Sequence, residues 1–109
     1  MWIFLNNSFL SVVAFEGNND DLLVRGRFTD DIEVIFPGYK VLEDAGSDYR
    51  FRAVIPRNVV SRKLQALADE VKYTNFKDSI EADDRHDVYI DVWRTMYKAQ
   101  NCSRRTALC

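Results

Sequence analysis

The sequence predicts an α+β fold, with a four- to five-stranded, mostly antiparallel sheet and two long C-terminal helices packed on one face. Segments before residue 56 alternate apolar and polar side chains, as half-buried strands do. Segments after residue 57 place apolar residues at helical spacing. Runs such as 17–21 and 44–48 separate the segments and are polar turns or loops. The order of sheet first and helices last is typical of α+β proteins.

The strand pattern fixes which side chains share a face. Strands are predicted over residues 2–5, 9–15, 22–28, 39–42 and 49–55. The second strand is apolar on both faces, with Phe9 and Val13 on one and Leu10 and Val12 on the other. Such a strand is central or has its second face covered. A second copy of the chain is one candidate for that cover, so a homodimer is an open possibility.

Helices account for most of the remaining chain. A short helix is expected between a cap in Thr29-Asp30-Asp31 and the stop at Pro37-Gly38. The two long helices are expected over residues 57–72 and from Phe76 or Ser79 to Ala99. We therefore expect one α+β domain over residues 1–99, followed by a frayed or non-native tail over 100–109.

Charge and cysteine usage narrow the class of protein. The formal net charge of -2 argues against extended binding of nucleic acid, which favours a basic excess. The two cysteines, Cys102 and Cys109, lie too close to the end to tie a core together, which favours a cytoplasmic location. We read no signal peptide, no transmembrane helix and no membrane partner.

The first candidate site is a pair of Arg-x-Arg strands. Arg25 and Arg27 share one face of the third strand, and Arg50 and Arg52 share one face of the 49–55 strand. If these strands are neighbours, four guanidiniums lie on one sheet surface and favour an anionic ligand. The alternative is a solvated face whose arginines pair with the chain's acids.

The second candidate site is the last helix and the segment before it. His86, the only histidine, is spaced to share a helix face with Tyr89 and Trp93, and Lys77 lies just upstream. These residues are candidate contacts for a ligand or partner. A half-buried structural histidine is the alternative, and Asn75 between the long helices is more readily a helix cap. The acids around His86 do not follow a calcium-loop pattern, so no metal and no cofactor are predicted.

No segment carries a recognisable catalytic motif. The sequence has no nucleophile elbow, no P-loop and no dinucleotide glycine pattern, and no serine stands beside a base. No catalytic residue is therefore predicted.

Three segments carry a resemblance. They are Tyr49-Arg50-Phe51-Arg52-Ala53, Asn75-Phe76-Lys77-Asp78-Ser79, and the run Arg85-His86-x-x-Tyr89-x-x-Val92-Trp93-x-x-Met96-Tyr97. The chain resembles, over residues 1–99, a group of small uncharacterised bacterial and phage proteins without an established function. The resemblance implies a bacterial or mobile-element origin and a cytoplasmic location, and it brings no activity.

These observations favour a small non-catalytic binding or regulatory protein that recognises a protein partner or an anionic ligand. An inhibitor of a host system, such as a phage anti-defence protein, is one form that it could take. The alternatives are a small enzyme for a phosphorylated or nucleotide substrate, with the arginines binding phosphate and His86 as acid or base, and a dimeric structural protein. Convergence of the arginines and His86 on one pocket would favour the enzyme.

Overall fold

The computed structural model describes residues 1–102 and has the α+β architecture that the sequence predicts. One sheet contains five antiparallel strands in the order β1-β2-β3-β5-β4. The strands are β1 (Trp2–Leu5), β2 (Ser8–Ala14), β3 (Asp21–Gly26), β4 (Leu42–Glu43) and β5 (Phe51–Pro56). The helices are α1 (Asp31–Ile35), α2 (Arg57–Asp69) and α3 (Asp83–Gln100), with a 3₁₀ turn over Lys77–Ser79.

The chain divides into two compact units, Met1–Lys72 and Tyr73–Cys109. The sheet, α1 and α2 belong to the first unit, and the 3₁₀ turn and α3 belong to the second. The predicted tail begins at Gln100, which is the last residue of α3, and residues 103–109 of that tail lie outside the described part. Cys102, which follows α3, is disulfide-bonded. It does not belong to the apolar core of the sheet.

The core of the first unit lies on one face of the sheet. The pairing of Val12 with Val24, and of Val24 with Ala53, sets one apolar row across the three central strands. Helices α1 and α2 both contribute to this core, as Ile32 and Val60 show. The sequence placed two long helices on one face, and that packing on the sheet is confirmed for α2. The remaining buried members of the core are Leu10, Ile35, Phe36, Phe51 and Ile55.

Helix α1 approaches the sheet over Gly26, which ends β3 on the core face. A Cβ atom at Gly26 would lie 3.4 Å from Cγ1 of Ile32, which is van der Waals contact. Ile32 therefore packs directly over the backbone of β3 at this point, and it is fully buried.

A buried carboxylate ties α1 to β2. The Oδ2 atom of Asp31 accepts a hydrogen bond of 2.9 Å from the backbone N–H of Phe9. Strand β3 ends at Gly26, which pairs with Leu10, so the ladder supplies Phe9 with no partner residue in β3. The Asp31 carboxylate stands in for that missing acceptor. The predicted side-chain cap is wrong, because Asp30 precedes the helix with φ 70° and makes no capping hydrogen bond.

Several element boundaries differ from the sequence prediction. Strands β2 and β3 cover Ser8–Ala14 and Asp21–Gly26 instead of 9–15 and 22–28, β4 covers Leu42–Glu43 instead of 39–42, and α2 ends at Asp69 instead of residue 72. Strand β5 begins at Phe51 instead of Tyr49, because residues 47–50 form bends. The last helix begins at Asp83 instead of Phe76 or Ser79, because a 3₁₀ turn and an extended stretch at Ile80 intervene. No helix within residues 1–102 has both the length and the apolar character to cross a membrane.

We expect Asp31→Ala to lower the free energy of unfolding of the protein by about 1–3 kcal/mol, because it leaves the buried N–H of Phe9 without an acceptor. Denaturant unfolding followed by circular dichroism measures this change. Glu33→Ala removes an exposed acid from the same helix and should stay within about 0.5 kcal/mol of the wild type. Equal losses in the two variants would contradict the bridging role of Asp31.

Candidate functional site

The register of β3 and β5 brings the Arg-x-Arg segments together. Arg25 pairs directly with Arg52. The backbone N–H of Arg57 bonds to the carbonyl of Asp20 in the same register, and hydrogen-bonded pairs alternate along an antiparallel ladder. Arg25 and Arg52 therefore form a non-hydrogen-bonded pair, in which Cα atoms are about 4.5 Å apart and side chains are closest. We call the sheet surface that carries Arg25 and Arg52, opposite the core, the arginine face.

Arg25 and Arg52 form an inner pair that has no acidic partner. Nη2 of Arg25 donates 2.9 Å to Oγ of Ser11, and Nη2 of Arg52 donates to Oγ of Ser47. Among residues 1–102, no carboxylate lies within ion-pair distance of either guanidinium. Both side chains are half-buried, and both Nε atoms are buried without a hydrogen-bond partner. Two neighbouring charges of the same sign are thus uncompensated, which is unfavourable in a sheet.

Arg27 and Arg50 behave differently, because each is exposed and each has an acid. Nη1 of Arg27 lies 3.4 Å from Oδ1 of Asp48 and donates a hydrogen bond to the backbone carbonyl of Asp48. Arg50 lies 3.2 Å from Oε2 of Glu43. For these two arginines the structure agrees with the solvated, acid-paired interpretation. Of the four predicted arginines, only Arg25 and Arg52 have no acidic partner among residues 1–102.

Tyr49 belongs to this site, although strict alternation with Phe51 and Ala53 predicts it on the core face. Its ring lies 4.3 Å from the guanidinium carbon of Arg25 and 4.2 Å from that of Arg27. The bends before Phe51 break the alternation and free the ring to take this position. Tyr49 is buried, and cation–π contacts to its face hold both arginines in place. The polar loop over residues 44–48, directly before Tyr49, is the sequence feature that could have indicated that Tyr49 lies outside the regular strand.

The second strand's second face is covered from within the chain. Phe9 is buried by the ring of Phe4, stacked at 4.5 Å, and by the edge of Trp2 at 6.2 Å. Ser11, which follows on the same face, is buried beneath its bond to Arg25. The contacts of Phe9 thus do not require a second copy of the chain.

In the second unit, Lys77 and Tyr89 each contact an aromatic ring, whereas His86 contacts an acid. Phe76 stacks on Tyr89 at 5.9 Å, and Nζ of Lys77 lies 4.9 Å from the centre of the Trp93 ring. Tyr89 is buried, whereas Trp93 is 46% exposed. His86 is half-buried, with Nδ1 3.9 Å from Oδ1 of Asp87.

The segment that leads into α3 is held by Asn75. Its Oδ1 accepts hydrogen bonds from the N–H groups of Lys77 and Asp78, at 3.0 and 3.4 Å. Asn75 therefore caps the 3₁₀ turn instead of α3 itself. Tyr73 packs against Phe76 with ring centres 5.7 Å apart, which adds an aromatic contact across this turn.

A shallow cavity of about 690 Å³ also lies in the first unit, at the start of α2. Arg57 and Arg62 line it together with Asp20 and Asp21, so its charges offset each other. Nε of Arg57 is already bonded to the carbonyl of Asn19. Because its two arginines are matched by two aspartates, the cavity carries no excess charge, and we assign no anion site to it. Asn58, Ser61 and Pro56 complete its lining.

The inner pair offers hydrogen-bond donors on two neighbouring side chains. Arginine carries several N–H donors and no acceptor, so a carboxylate or phosphate can bond to Arg25 and Arg52 at the same time. Within the described part of the chain, no three His, Cys, Asp or Glu side chains are placed to share a metal ion.

Comparison with known proteins assigns no family. No protein-family model matches the chain, and neither a curated protein nor a solved structure is similar to it. The resemblance to small bacterial and phage proteins therefore stays a prediction from the sequence.

We expect Arg52→Met to leave the free energy of unfolding unchanged or to raise it by up to about 1 kcal/mol at low salt, because it removes a like-charge contact and keeps the apolar stem. Denaturant unfolding at several sodium chloride concentrations measures this. The difference from the wild type should shrink as salt screens the repulsion.

Arg62→Met is the matched control, since Arg62 is an exposed arginine on α2. Its effect should stay within about 0.5 kcal/mol at every salt concentration. A loss of more than about 1 kcal/mol in Arg52→Met would mean that the inner pair stabilises the fold.

Proposed function

We propose that this protein is a non-catalytic binding protein that recognises an anionic group on a partner molecule through Arg25 and Arg52. The observation that carries the proposal is the absence, among residues 1–102, of any carboxylate paired with these half-buried neighbours. An anion that bonds to both guanidiniums would offset their repulsion and reach the donors that the serines leave unused.

The surroundings support a rigid, preformed site. Both arginines extend from central strands. The guanidinium of Arg25 lies against the ring of Tyr49 and donates a hydrogen bond to Oγ of Ser11. Side chains that are already ordered lose little entropy when a ligand binds. The outer acids Asp48 and Glu43 limit the positive charge to a small area, which favours a ligand with one or two negative charges over a long polyanion.

We place this function in the cytoplasm. The buried core cluster of the first unit is apolar and contains no cysteine, which suits a reducing compartment, and the disulfide-bonded Cys102 belongs to the second unit. A host-directed inhibitor would be one role for such a module, and a protein partner would be its target.

Inorganic phosphate, compared with chloride at equal ionic strength, provides the direct test. We expect phosphate to raise the free energy of unfolding of the wild type by about 1.4 kcal/mol at ten times its dissociation constant. The double variant Arg25→Gln/Arg52→Gln should lose this stabilisation. Thermal unfolding at a series of phosphate concentrations measures both.

Arg62→Gln serves as the control, because it removes the same charge from an exposed position on α2. It should respond to phosphate as the wild type does. Equal stabilisation of the wild type and the double variant, or none in either, would contradict the proposal.

A further inference from the structure

A single row of side chains crosses the whole sheet on the arginine face. Trp2 pairs with Ser11, Ser11 with Arg25, Arg25 with Arg52, and Arg52 with Leu42. Paired residues in adjacent strands point to the same face, so these five side chains form one line. With strands about 4.8 Å apart, the row is about 19 Å long.

The two ends of this row are apolar and exposed. Trp2 is 67% exposed and Leu42 is 53% exposed, whereas the arginines between them are half-buried. The neighbouring row on the same face is Val13, Leu23 and Val54, and Val54 is 41% exposed. The inner pair is therefore a positive centre between apolar ends, with an apolar flank beside it.

From this pattern we infer that the ligand is an extended acidic segment of a partner protein, lying across the strands from Trp2 to Leu42 with apolar side chains at its ends. The inference rests on the proposed function of Arg25 and Arg52 and adds the class of partner. An extended chain advances about 3.3 Å per residue, so about seven residues span the row. Alternate side chains then face the sheet, with acids at the centre and apolar groups over Trp2 and Leu42.

Other occupants fit the charges less well. A lone phosphate can reach the inner pair but cannot cover two apolar ends about 19 Å apart. A nucleic-acid backbone would bring further negative charge against Asp48 and Glu43, which flank the site. A second copy packed face to face about this row would set one inner pair against another, which like-charge repulsion opposes.

Calorimetric titration with a synthetic peptide tests the inference. The peptide has blocked ends, a leucine at each end, two aspartates one residue apart at its centre, and serines between. We expect it to bind the wild type at least about tenfold more tightly than inorganic phosphate does, because the leucines add apolar contacts. Replacing both aspartates by asparagine should weaken binding at least about tenfold.

Variants of the protein locate the contacts. Arg52→Gln should weaken binding of the peptide at least about tenfold, and Trp2→Ala and Leu42→Ala should each weaken it about five- to tenfold. Both apolar positions are exposed, so these variants should keep the fold, and thermal unfolding confirms this. Arg62→Gln, away from the row, should bind as the wild type does.

The outcomes separate the two proposals. If phosphate binds through Arg25 and Arg52 but the peptide binds no more tightly, the extended-segment inference is wrong and the anion site stands. If neither phosphate nor peptide binds, both proposals are wrong. Self-association that Arg52→Gln abolishes, measured by light scattering, would identify a second copy as the occupant and would also overturn the inference.

Discussion

The pairing of β3 with β5 is the constraint on which both faces of the sheet depend. Because side chains alternate along a strand, the register that sets Val24 beside Ala53 in the core also sets Arg25 beside Arg52 on the opposite face. A slip of one residue would exchange the two sets and bury guanidiniums in the core. The apolar core thus fixes the register, and the register forces the arginines together. Burial of apolar side chains on the other side of the same strands offsets the repulsion in the inner pair.

Helix α1 makes it possible for one face of the sheet to be a closed core. Its Ile32 packs over Gly26, and its Asp31 completes the hydrogen bonding of β2 where β3 has ended. These contacts hold the helix at the end of β3 without a conventional side-chain cap. On the opposite face, Ser11, Ser47 and Tyr49 contact the arginines. These three residues come from a strand and from the loop before β5.

The division between inner and outer arginines has a consequence for recognition. The outer acids Asp48 and Glu43 pair with Arg27 and Arg50, so the uncompensated positive charge of these four arginines lies at Arg25 and Arg52, where we propose the anion site. A small positive centre between apolar ends discriminates by shape and by charge count, whereas a broad basic patch attracts any polyanion. Lys77, Tyr89 and Trp93 belong to the second unit and make contacts within it.

The sequence by itself determined the fold class, the faces of β2 and β3 and the candidate arginines, because apolar alternation is a local property that each strand carries alone. It could not determine that Arg25 lacks an acid while Arg27 has one, since partners such as Asp48 are remote in sequence and meet their arginines only after strand pairing. It misplaced Tyr49 because bends before β5 interrupt the alternation, and a bend that depends on tertiary contacts leaves no periodic signal. It missed the role of Asp31, because a carboxylate near a helix start usually caps its own helix, and only the early end of β3 directs this one to Phe9. Tertiary structure alone decided which of four similar arginines remain uncompensated, because charge compensation depends on distances between segments that are far apart in the chain.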